Sequence, residues 1–142
     1  MNILVIDGQG GRLGCQMVRS IAEKYPGARL MAVGTNSAAA AAMAKAGAHQ
    51  AAAGENPLIV ACRKADIIIG PIGIVIADSL FGEITPAMAV AVAQSDAVRI
   101  LLPVNRCGNI VAGVQELSLT ALISDAMATV SYTHLTLPTI RL

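Results

Sequence analysis

Apolar positions along this chain follow two rhythms. Residues 2–7, 29–33 and 67–69 are short unbroken runs, "NILVID", "RLMAV" and "III". Short apolar runs without polar alternation predict strands buried on both faces. Elsewhere apolar residues recur at helical spacing. Leu13, Met17, Ile21 and Tyr25 step by four and predict a helix over 12–25, stopped by Pro26-Gly27. The alanine-rich stretch 37–46 predicts a second helix, with Asn36 or Ser37 as N-cap and Gly47 as stop. Residues 49–53 predict a short third strand, and 57–65 a helix with Pro57 in its first turn. Thr85 can cap a helix over 86–94 that opens on Pro86. Residues 98–104 and 109–114 predict two further strands, and 117–129 a closing helix. Residues 70–83 form a glycine-punctuated connection.

Strands that alternate with helices across short connections predict an α/β protein. The expected architecture is a minimal doubly wound (Rossmann-like) parallel sheet of five or six strands, with helices on both faces. No linker or repeat divides the chain, so residues 1–129 form one expected domain.

Composition adds an expectation about partners. Hydrophobic residues make up 55% of the chain and charged residues 13%. So apolar a chain is expected to bury surface beyond its own core, which predicts a homo-oligomer. The basic residues are scattered and aromatics are 2%, which argues against a nucleic-acid partner. The longest apolar run, 67–77, contains Gly70, Pro71 and Gly73 and is too short to span a bilayer, so no membrane partner is expected. The amino terminus opens on a strand with no basic stretch before it. No signal peptide is read there, and a cytoplasmic location is expected. Cys15, Cys62 and Cys107 are far apart, with no CxxC pair and no metal-ligand cluster, as expected of reduced thiols.

The densest chemistry is "DGQGGRLG", residues 7–14. Gly8, Gly10, Gly11 and Gly14 fit GxGxxxG and GxxGxxG at once. A glycine loop between a strand and a helix lets backbone approach an anion and aims helix N–H groups at it. Arg12 adds a charge suited to phosphate. Two readings stand together: a grip on a nucleotide or a dinucleotide such as NAD or NADP, and a tight structural turn. The second strand ends in Gly34-Thr35-Asn36-Ser37. That segment has neither the acid of an NAD ribose site nor the arginine of an NADP site. Thr35, Asn36 and Ser37 can still meet a ribose or a 2′-phosphate through hydroxyl and amide groups. Asp7 either repels a phosphate or caps the turn through loop N–H groups.

The stretch "ILVIDGQGGRLGCQMV" is similar to the N-terminal cofactor loop of the dihydrodipicolinate reductases, whose pattern is Gly-x-x-Gly-Arg-Met-Gly. That resemblance implies a cofactor-binding role for Gly8, Gly11, Arg12, Leu13 and Gly14. It covers only the first strand, loop and helix. The His-His-x-x-Lys catalytic segment and the substrate-binding half of those enzymes are absent, so the resemblance does not extend to their reaction. Over almost the whole body, "DGQGG", "GPIG", "GEITP" and "NRC" resemble a small bacterial Rossmann-like family, a domain of unknown function. This second resemblance implies a fold and no activity.

Ligands of open α/β sheets sit beyond the carboxyl ends of the strands. Residues 7–14, 34–37, 70–73 and 105–108 are expected at that edge. Gly70 and Pro71 of "GPIG" either offer bare backbone to a ring or ribose, or turn the chain out of a crowded strand. Arg106 would favour an anion and could activate Cys107. That thiol lacks a histidine base, because His49 lies elsewhere, so an inert role is the stronger reading. Cys15 could be acidified by the helix dipole, and packing against the sheet is the alternative. Asp78 and Glu83 read as a solvated loop in preference to paired acids. Met17, Met43 and Met88 read as core.

Three functional readings follow. The first is a nucleotide- or dinucleotide-binding protein; as an enzyme it would be an NAD(P)-dependent oxidoreductase. The second is a non-catalytic ligand-sensing module. The third is an oligomeric scaffold whose glycine loop is only structural. The carboxyl-terminal stretch is read separately. "VSYTHLTLPT" resembles a translated sequencing adapter, so residues 130–142 are expected to be a non-native tail. Without Arg141 the charges of the remaining chain balance.

Overall fold

A computed structural model describes residues 1–104 and 107–140. Among these residues five strands make one sheet: β1 (Asn2–Asp7), β2 (Arg29–Gly34), β3 (Gln50–Ala53), β4 (Ile67–Pro71) and β5 (Val98–Leu102). Their order is β3-β2-β1-β4-β5, and every neighbouring pair is parallel. The helices are α1 (Arg12–Lys24), α2 (Ser37–Ala46), α3 (Glu55–Lys64), α4 (Pro86–Gln94) and α5 (Leu119–Ile140), with a short 3-10 turn at Ile72–Val75. This is the expected doubly wound α/β architecture.

The strand period of two divides each run between two cores. Ile3, Val5, Leu30, Ala32, Ile67 and Ile69 face one side, against Leu13, Met17 and Ile21 of α1, Met43 of α2 and Ile123 of α5. Leu4, Ile6, Met31, Val33 and Ile68 face the other, against Leu58 and Cys62 of α3 and Met88 and Val92 of α4. Unbroken apolar strands are thus explained by helices on both faces. Asp7 follows Ile3 and Val5 in the odd register, so its side chain is directed to the α1 side. The order in which strands are added reverses between β1 and β4, which makes their carboxyl ends the switch point of the sheet.

Three expectations are corrected. Residues 109–114 form no strand: β5 is the last strand among the described residues, and 107–118 is irregular. Left-handed φ angles at Cys107, Gly108 and Gly113 break any extended run, and Ile110 is left 91% exposed. The last helix also passes its expected end at residue 129. Ile123, Ala126, Val130 and Thr133 continue one buried stripe, and the hydroxyls of Thr129, Ser131 and Thr133 donate to carbonyls four residues back. Tyr25 contacts this extension through the Ser131 hydroxyl and the His134 ring.

The third correction concerns "GPIG". Gly70 and Pro71 are buried in β4 and paired with Leu101 and Leu102, where the sequence predicts a connection leaving the strand. A Cβ at Gly70 would lie 2.5 Å from the Ile6 carbonyl oxygen of β1 and 2.9 Å from Ile74. The neighbouring strand alone is enough to require the glycine. Gly70→Ala should therefore destabilise the protein by about 2–3 kcal/mol. Urea denaturation checks this; an unchanged midpoint would show that β4 stands further from β1 than described.

Candidate functional site

The β1–α1 loop lies at the switch point. Gly8 N–H donates to Asp7 Oδ1 at 2.8 Å, and Gly14 N–H to Oδ2 at 2.6 Å. Asp7 is only 4% exposed. It therefore caps the first turn of α1 from the preceding strand, which resolves the two roles considered for it. Gly11 precedes the helix with φ 72°, a left-handed conformation that favours glycine. A Cβ at Gly14 would meet Met43 Sδ at 2.5 Å and Asp7 Cβ at 2.8 Å, so this glycine seats α1 against β1 and α2. A Cβ at Gly8 would strike Thr35 Oγ1 and Leu80. Gly10 differs from these three: it is exposed, and a Cβ there would meet nothing within 4 Å.

Glu83, expected in a solvated loop, has a structural role that its sequence position did not suggest. The connection after β4 passes through left-handed residues Leu80, Phe81 and Gly82. Leu80 is buried at Gly8, Phe81 is fully exposed, and Glu83 is brought over the loop. Glu83 Oε1 accepts the Gln9 N–H at 2.9 Å, the Asn36 side-chain amide at 2.9 Å and the Thr35 hydroxyl. This carboxylate, in a partly exposed loop, clamps the ends of β1 and β2. Asn36 is engaged on every side. Its Oδ1 caps α2 by accepting the Ala39 N–H, and its amide also donates to the Gln9 carbonyl. The expected Asn36 cap is present. Ser37, exposed in the first turn of α2, stands beside this network.

Donors remain at the loop. Among the described residues, the N–H groups of Gly10, Arg12 and Leu13 have no protein acceptor. The Arg12 side chain is exposed next to them, and Leu13 is buried. An open depression of about 350 Å³ lies here, bounded by Asp7, the loop, Val104 and Leu119. Asn105 and Arg106, expected at the same edge, lie outside the described residues. A larger groove of about 580 Å³ between α3 and α4, lined by Arg63, Asp66, Val90 and Asp96, is at the opposite edge of the sheet.

The thiols carry little of this chemistry. Burial pushes the Cys15 thiol up, with Arg19 opposing the effect and Asp7 adding to it, so the net shift is away from an acidified thiol. Burial pushes Cys62 up to about 11. Cys107 is exposed in a left-handed turn. His49 is far away at the start of β3, where its Nδ1 accepts the Leu30 N–H. Among the described residues no group of three or more His, Cys, Asp or Glu could hold a metal, and no helix is long and apolar enough to cross a membrane.

Sheet order and loop position define a doubly wound α/β protein with its glycine loop at the switch point. Residues 2–134 match the family described as a domain of unknown function (DUF3842), and the chain belongs to that family. No curated protein matches it.

The two carboxylates should titrate in opposite senses. Burial raises Asp7 above its ordinary value, against the Gly14 and Gly8 N–H bonds that lower it. Burial also raises Glu83, but the bonds from Thr35, Gln9 and Asn36 outweigh it and the net shift is downward. Stability from Asp7 is thus full below its unfolded pKa and declines as pH rises through the native value. Stability from Glu83 is present above its unfolded pKa and is lost as pH falls through the native value. Carboxyl carbon shifts followed by NMR should give a higher midpoint for Asp7 than for Glu83; the reverse order would contradict the buried cap.

Proposed function

We propose that this protein binds a nucleotide of the NAD(P) class, with its pyrophosphate at the β1–α1 loop. The observation that carries the reading is the set of open N–H groups at Gly10, Arg12 and Leu13, beside a glycine that packing does not require. Backbone donors at a helix start favour anions, and the Arg12 guanidinium adds a charged partner. The depression toward Val104 and Leu119 offers room for the rest of the ligand. Asp7 is compatible with a phosphate nearby because both its oxygens already accept N–H bonds. That internal saturation also favours the competing reading, in which the loop is only a structural turn within a scaffold.

A second subunit is proposed as the outer wall. Ile110, Val114 and Leu117 are exposed apolar side chains in the segment leading to Leu119. Native mass spectrometry should show a dimer or larger assembly; a monomer at micromolar concentration would remove this wall.

The loop glycines separate binding from folding. Gly10→Val adds a side chain in open space and should keep the melting temperature within about 2 °C. It should weaken NADH binding, measured by calorimetry, at least about tenfold. Gly11→Val places a β-branched residue at positive φ, with its Cβ 3.0 Å from Ala39 Cα, and should fold poorly. If a folded Gly10→Val keeps full affinity, or if NADH, NADPH and ATP all fail to bind the unaltered protein, the structural-turn reading replaces this one.

A further inference from the structure

The hydrogen-bond donors at the end of β2 discriminate between ribose types. The single hydroxyl proton of Thr35 goes to Glu83 Oε1. The Asn36 amide donates to the same oxygen and to the Gln9 carbonyl. The Gln9 N–H also goes to Oε1. Thr35 and Asn36 therefore retain no side-chain donor for a 2′-phosphate, although the sequence suggested them for that role. What they hold instead is a carboxylate. Its other oxygen, Oε2, has no hydrogen-bond partner among the described residues.

We infer that Glu83 determines ribose specificity at this site: Oε2 accepts a hydroxyl of the adenosine ribose, and the carboxylate repels a 2′-phosphate. The ligand class is then NAD, not NADP. This rests on the dinucleotide reading above. Acid at the end of the second strand is what a 2′-hydroxyl ribose requires. In this chain β2 ends without one, and the connection after β4 delivers it to the same place. The three bonds to Oε1 fix the carboxylate before any ligand arrives, so little ordering is needed on binding. They also keep it ionised near neutral pH, as its lowered pKa indicates. Of the residues 34–37, only Ser37 keeps a side-chain hydroxyl without a partner in the structure. One neutral hydroxyl beside a fixed negative charge does not favour a phosphate dianion.

The test is calorimetric titration of the full chain with NADH, NADPH and NADH lacking the adenosine 2′-hydroxyl. The unaltered protein should bind NADH at least about tenfold tighter than NADPH, and loss of the 2′-hydroxyl should cost about tenfold. Glu83→Gln keeps an amide oxygen for the bonds from Gln9, Thr35 and Asn36. With an unchanged melting temperature it should bring the two cofactors within about threefold, chiefly by improving NADPH. Equal binding of NADH and NADPH, preference for NADPH, or indifference to the 2′-hydroxyl in the unaltered protein overturns the inference and leaves the dinucleotide reading standing. A ratio unmoved by a folded Glu83→Gln does the same. Failure of NADH and NADPH alike to bind overturns both.

Discussion

A single buried carboxylate organises the carboxyl edge of this sheet. Asp7 ends the central strand and accepts N–H groups from both sides of the loop that follows it. Those bonds require the chain to double back within seven residues. That reversal fixes where α1 begins, places Gly11 in a left-handed conformation and leaves no space for a side chain at Gly14. Met43 fills the space at Gly14 and carries α2 with it. An unmet N–H in so buried a place would cost about 1–3 kcal/mol, so the carboxylate and the glycines depend on one another.

Glu83 works at longer range. Asp7 joins a strand to its own helix, whereas Glu83 joins the ends of β1 and β2 to a connection that starts from β4. Its partners Gln9, Thr35 and Asn36 come from two different loops. Together the two acids turn three loose connections into one surface. The inner acid has both oxygens occupied by backbone, and the outer one has an oxygen left over. This division explains how a site with few charged residues can still present directed polarity.

Much of this was legible in the sequence. Unbroken apolar runs separated by helical stripes identify a two-faced parallel sheet, and Asn36 and Thr85 mark the starts of α2 and α4 through short-range bonds to Ala39 and Met88. Short-range chemistry of this kind is readable because cause and effect lie within one turn. Glu83 was not readable: its partners are 74, 48 and 47 residues away, and its own turn has no helical or strand period. Gly70 misled in a related way. A glycine at a strand end suggests a ligand, yet here the close neighbour is a carbonyl of β1. "NIVAGV" has strand composition but pairs with neither edge of the sheet, and strand formation depends on the neighbour as much as on the residue. The stripe that carries α5 beyond residue 129 is apolar at Val130 and polar at Thr133, so its period fades in sequence while burial continues.

The place of β1 has a consequence for biosynthesis. Of the five strands it is the first in chain order, and it needs a partner on each side. Its edge toward β2 can pair after residue 34, but its edge toward β4 has no partner until Ile67–Ile69 emerge. Through that interval a strand apolar on both faces waits half-paired, in the condition that invites misassociation. Local helices and the β1–β2 unit can form early, and closure of the sheet is set by a contact between the two ends of a 64-residue span. The topology that puts the glycine loop at the switch point also gives the central strand its second neighbour across the longest sequence separation of any strand pair in the sheet.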